Sequence, residues 1–161
     1  MKSQIATSPE QSNRLIACGV NPDSADMCYL YWDESGEQLS RDEYLEIFND
    51  SFLDGRVELV PKDFADYDHS YETDSPAWSL SALLELLPTS LTSAMGNEYM
   101  LELSKLRMHN AWEIQWYNGR ERWRTMDKDK KYHKLWDVSP IEACVKAIEW
   151  LTSNGYTLNT K

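Results

Sequence analysis

The chain has 161 residues, 42% of them hydrophobic and seven of them tryptophan, which fits one folded domain over residues 1–161 and argues against a disordered protein. A net charge of −11 at pH 7 disfavours a general nucleic-acid binder, because attraction to phosphates supplies most non-specific affinity. No apolar run approaches the roughly 20 residues of a membrane helix, and the opening residues lack the apolar stretch of a secretory leader, so a cytoplasmic protein with no membrane partner is expected.

Ser8 followed by Pro9 predicts a first helix, with a serine cap and proline at the first helical position. Gly19 should stop it after Cys18. Asn21-Pro22-Asp23-Ser24 reads as a turn, and residues 27–32 are rich in strand formers until residues 34–37 break them. Ser40 and Glu43 have capping-box spacing, with Leu39 and Tyr44 spaced as the accompanying staple. The helix that follows should bury Tyr44, Ile47 and Phe48 as one stripe. Residues 56–60 alternate as a short strand that Pro61 interrupts.

Residues 62–75 are polar and acidic and read as a loop or flap. Ser79 then caps a helix with Leu80, Leu83, Leu84 and Leu87 on one face, and Pro88 stops it. Residues 99–106 predict a strand with Tyr99, Leu101 and Leu103 on one side. Residues 128–136 read as a last strand or a charged loop. Ser139-Pro140 opens the strongest helix, with Ile141, Cys144, Val145, Ile148 and Leu151 as its apolar stripe and Asn154-Gly155 as its end.

The most informative stretch is residues 112–126. Asn118-Gly119 suits a two-residue type I′ turn, which sets Trp116 opposite Glu121, Ile114 opposite Trp123, and Glu113 opposite Arg124 as an ion pair. One face then carries Trp112, Ile114, Trp116 and Trp123 for a core. The other carries Glu113, Gln115, Tyr117, Arg120, Arg122 and Arg124. The fold class that follows is α+β: an antiparallel sheet of four to five strands around this hairpin, flanked by helices, with the C-terminal amphipathic helix packed on the sheet.

Charge is split along the chain. Residues 1–98 hold 19 acids against 5 bases, whereas residues 99–161 hold 8 against 11. An acidic front half could simply keep the protein soluble, or it could address a basic partner. Asp42, Glu43 and Glu46, on one helix, are the candidate partner-binding residues. On the cationic hairpin, Arg120, Arg122 and Arg124 beside Trp116 and Tyr117 could hold an anionic ligand such as a nucleotide and stack its base. Solvated strand residues, or a face turned toward the acidic half, explain the same pattern more simply.

Other constellations say less. Asp63, Asp66, Asp68, His69, Glu72 and Asp74 offer hard ligands but not calcium-loop spacing, so a solvated loop is expected and no metal is assigned. His69, His109 and His133 lie far apart, and His109 beside Asn110 fits a turn between strands. Glu102 and Glu113 are the nearest approach to paired carboxylates. There is no Gly-x-Ser-x-Gly elbow and no glycine-rich phosphate loop, so no catalytic residue and no cofactor is assigned. Cys18, Cys28 and Cys144 are odd in number and without Cys-x-x-Cys pairing, which predicts buried reduced thiols. Trp78 is expected in the core rather than as an exposed anchor, and Trp150 off the main stripe of its helix could meet the sheet edge or a second copy.

Two segments carry a resemblance. They are Asn13-Arg14-Leu15-Ile16-Ala17-Cys18-Gly19 with Ser24-Ala25-Asp26-Met27-Cys28-Tyr29, and Pro76-Ala77-Trp78-Ser79-Leu80 running on to Pro88. With a tryptophan-bearing hairpin and a final amphipathic helix, the chain resembles a family of small uncharacterised proteins of gut Bacteroidetes and their phages and mobile elements. The resemblance implies a bacterial or phage cytoplasmic origin and carries over no site residues. The expected function is a non-catalytic interaction module whose partner is a host or element-encoded protein, with a homodimer as a further option. The alternative is a binder of a small anionic ligand at the cationic hairpin.

Overall fold

Ser8 and Gln11 satisfy each other's backbone donors at the start of α1 (Pro9–Ala17). The Ser8 hydroxyl accepts from the Gln11 N–H at 3.2 Å, and the Gln11 amide oxygen accepts from the Ser8 N–H at 2.9 Å. Gly19, at φ +90°, ends the helix; its N–H donates to Ile16, and the Val20 N–H reaches back to Leu15. In this computed structural model the described residues are 4–48, 56–63, 75–119 and 135–159.

The chain forms an α+β fold with antiparallel pairing throughout, but the described strands number eight and divide between two four-stranded sheets rather than one. In the first sheet β1 (Met27–Trp32) pairs with β3 (Val57–Pro61) along one edge. Two short strands share its other edge, β2 (Gln38–Leu39) beside Trp32 and β4 (Pro76–Ala77) beside Met27. Pro61 belongs to β3, opposite Met27, instead of lying beyond it; the last position of a strand tolerates a missing donor. α2 (Arg41–Phe48) opens with the expected Ser40–Glu43 capping box and sets the Tyr44 ring 5.0 Å from Tyr31. Its predicted stripe is narrower than expected: Tyr44 is buried and Phe48 half-buried, but Ile47 is 59% exposed.

The second sheet runs β5 (Ser90–Thr92), β6 (Glu98–Leu106), β7 (Ala111–Tyr117), β8 (Trp136–Asp137). Alternation holds here on the core side, but Trp112 is only half-buried and Glu113, expected on the exposed polar face, is buried. Tyr99, Ile114 and Trp116 are buried on one face with Leu101 and Leu103 packed beside them. Glu113 faces Ser104 on β6 and Trp136 on β8; its predicted hairpin partner, Arg124, lies outside the described residues. The remainder of the predicted hairpin, residues 120–126, lies outside the described residues.

α4 (Pro140–Ser153) covers the apolar face of the second sheet. Ser139 caps it, and Ile141, Cys144, Val145, Ile148 and Leu151 are all buried as predicted. Trp150 is buried too, stacked between Trp116 at 6.3 Å and Tyr156 at 5.5 Å, so it serves the core. α3 (Leu80–Leu86) adds Ala82, Leu83 and Leu86, with Leu84 only half-buried. The last carbonyls of α3 are met by Asn159, whose N–H bonds Leu86 and whose amide bonds Glu85 and Leu87.

Two polar hubs tie these layers together. The Thr7 hydroxyl accepts the Trp78 N–H, the Thr7 N–H donates to the Trp78 carbonyl, and the Tyr29 hydroxyl donates to the Thr7 carbonyl at 2.8 Å. On the far side of α1, Arg14 grips α4, with two bonds to Glu149 at 2.8 and 2.7 Å and one to Glu142 at 2.8 Å. The Glu149 carboxylate first, and Glu142 with it, drive the Arg14 pKa above its ordinary value against the opposing effect of burial. Replacing Arg14 with Met keeps the stem's packing but leaves two carboxylates facing each other. Its guanidinium is part-exposed, so a loss of about 1–2 kcal/mol in urea unfolding is expected, and the loss should shrink when Glu149→Gln is added.

Candidate functional site

α2 is the one predicted site element whose side chains are all described. Helical periodicity turns Tyr44 inward against β1 and leaves Asp42, Glu43 and Glu46 exposed. Among the described residues none of these three carboxylates is in an ion pair. Glu43 also accepts the Ser40 N–H at 2.9 Å, so it both charges and caps the helix. Ile47 lies among them, exposed. The turn between β1 and β2 extends the acidic surface with Glu34 and Glu37, both exposed. Arg56 answers part of this charge, bonding Glu34 and standing 4.3 Å from the Phe48 ring. The surface is exposed and acidic, which suits it to an oppositely charged partner.

The cationic hairpin is only partly described, and one of its residues is reassigned. Trp116 is 2% exposed and its indole N–H donates to the Pro88 carbonyl at 2.9 Å, so it cannot stack on a ligand. Tyr117 follows it on the opposite face and is exposed. Arg120, Arg122 and Arg124 lie outside the described residues. Of the acidic flap only Asp63 and Ser75 belong to described stretches bordering it, together with Lys62; Asp66, Asp68, His69, Glu72 and Asp74 lie outside. Among the described residues no group of three His, Cys, Asp or Glu could hold a metal ion.

Asn21, Asp23, Asp26, Lys62 and Asp63 line a cleft of about 460 Å³. Its polar groups are turned on one another. Lys62 Nζ donates to the Asp23 carbonyl at 3.3 Å, and the Asp26 carboxylate accepts the N–H and hydroxyl of Ser79 at 2.9 and 2.5 Å. That cleft therefore builds structure, fixing the cap of α3 to the start of β1. Trp78 is fully buried beside it with its indole N–H on the Ser24 hydroxyl at 3.0 Å, which settles its role as core.

The second charged feature was not singled out from sequence. The tight turn from β6 to β7 exposes Arg107, Met108 and His109, and Met108 is 93% exposed. Lys105 Nζ stands 5.7 Å from the Trp112 ring, and His109 stacks on Trp136 at 5.6 Å. Asp137 beside them is engaged by Lys146 at 2.9 Å. Burial alone would raise the Asp137 pKa, but the Lys146 bond and the Ser139 N–H outweigh it and hold it below the ordinary value. Glu102 and Glu113 share the opposite face as diagonal neighbours, one exposed and one buried. All three cysteines are unbridged, Cys28 and Cys144 buried and Cys18 partly exposed where full burial was expected. No helix among the described residues is long and apolar enough to cross a membrane. No protein-family model, curated protein or solved structure matches this chain.

Proposed function

We propose that this chain is a non-catalytic interaction module of a phage or mobile element, which docks a basic host or element-encoded protein on the exposed face of α2. One observation carries the reading. Asp42, Glu43 and Glu46 share the exposed side of α2 with Ile47, while Tyr44 anchors the helix from behind. Charge of one sign around an apolar contact steers an oppositely charged partner and then gives it area to bury. The phage or mobile-element origin rests on the resemblance of the Pro76-Ala77-Trp78-Ser79-Leu80 segment. A cytoplasmic location is proposed with it, supported by three cysteines without a disulfide.

The test changes the face and spares the fold. Asp42→Lys, Glu43→Gln and Glu46→Lys together reverse the charge, and glutamine retains the capping bond to Ser40. Wild type and variant serve as paired baits in a bacterial lysate. A protein retained by the wild type and lost by the variant is the expected outcome. Identical retained sets, with both baits folded, contradict the proposal.

A further inference from the structure

The docking face of α2 has a complement within the same chain. The β6–β7 turn carries Lys105 and Arg107 beside an exposed apolar tip, Met108. Each surface combines one exposed apolar side chain with exposed charges of one sign: Ile47 with Asp42, Glu43 and Glu46 on α2, and Met108 with Lys105 and Arg107 at the turn. They lie on different sheets, α2 against the first and the turn on the second. Lys105 stands over Trp112 and His109 stacks on Trp136. Carboxylates are the direct complement to the exposed cations Lys105 and Arg107. We infer that the basic β6–β7 turn of one copy docks on the acidic α2 face of a second copy.

This rests on the reading of α2 as a docking face and names one partner for it. The contact is heterologous, because the two surfaces differ, so copies add head to tail into short open chains or a closed ring. Its strength should follow salt, since every charge in it is exposed and screened. The net charge of −11 repels copies in every orientation, so association at low salt requires this local attraction to exceed that repulsion.

Sedimentation equilibrium tests it at about 0.01 M and about 1 M salt, where the screening length is about 30 Å and about 3 Å. The wild type is expected to show a mass average that rises with concentration at low salt and falls to the monomer at high salt. Lys105→Glu with Arg107→Glu should stay monomeric in both, as should the charge-reversed α2 variant. Mixing the two variants should restore association, because one supplies a native turn and the other a native α2 face. A wild type that remains monomeric at low salt overturns the inference, as does a turn variant that assembles like the wild type. Turn-dependent binding of a monomeric protein to vesicles of anionic phospholipid also overturns it and assigns the turn to a lipid surface. If the wild type is monomeric while the α2 variant still loses a captured protein, self-docking fails and the function stands. If the baits retain identical proteins as well, both fail.

Discussion

Trp78→Ala is expected to cost about 3–5 kcal/mol, the range for removing a large aromatic from a packed core. Trp78 is fully buried and follows β4 directly, in the main hydrophobic cluster with Leu83, Leu87 and Leu91. Its backbone is bonded twice to Thr7, and its indole N–H reaches Ser24. The residue therefore joins the N-terminal segment, the turn before β1 and the start of α3. For a chain of this length the loss corresponds to a fall in Tm of about 10 °C or more. Trp78→Phe should lose less, because the ring still fills most of the space and the Ser24 hydroxyl keeps its bond to Asn21. Urea unfolding of the two variants measures both. A loss below about 1 kcal/mol for the alanine variant would mean that the site collapses around the gap and that Trp78 is not the joint between the layers.

Stability is expected to fall as pH rises above 9, and Cys144 is the main cause. Its thiol is fully buried in α4, and burial pushes its pKa from 9.0 up to about 12. The unfolded chain therefore ionises this thiol first. The contribution is intact below pH 9 and is lost progressively toward pH 12, amounting by then to about 4 kcal/mol at 1.4 kcal/mol per pH step. Tyr29 adds a second loss that begins at pH 10, because burial first, with Tyr31 assisting, raises its hydroxyl to about 12. Cys144→Ala should flatten the decline between pH 9 and pH 10 and make it shallower above pH 10, where Tyr29 still contributes. The substitution also lowers stability at neutral pH through lost packing, so the slope is the diagnostic and not the absolute value. An unchanged slope would show that the thiol does not titrate differently in the folded chain. The same burial should make Cys144 resist alkylation in the native protein, with Cys18, partly exposed, reacting first.

The parts of this fold legible in the sequence are those decided within a few residues. Ser8 before Pro9, Ser40 with Glu43, Ser79, and Ser139 before Pro140 each mark a helix start, because a cap acts on donors two or three residues away. The apolar stripe of α4 and the alternation of β6 and β7 follow from helical and strand periodicity alone. Pairing across distance was not legible. β2, β4 and β5 are two or three residues long, too short for any pattern, and exist because β1 and β6 present open edges to them. The pairing of Trp136 with Glu113 was likewise invisible in sequence, since the two residues lie far apart along the chain.

The candidate sites divide the same way. The acidic face of α2 can be read from spacing, as Asp42, Glu43 and Glu46 fall opposite Tyr44 on the helix. Trp116 and Tyr117 could not both have met a ligand, because successive strand residues point to opposite faces and Ile114 had already claimed the core side for Trp116. The β6–β7 turn escaped notice for a different reason. Its cations are few in sequence, and only the pairing of β6 with β7 and β8 sets Lys105 on Trp112 and His109 on Trp136.

The central claim is that α2 docks a basic partner through charge. The most direct measurement is the association rate of a captured partner as a function of salt, for wild type and for the charge-reversed α2 variant. The wild-type rate should fall by about tenfold or more between low and high salt, and the variant should be slow at low salt with its unfolding midpoint unchanged. Equal rates for the two proteins at low salt would contradict the account and place the docking surface elsewhere.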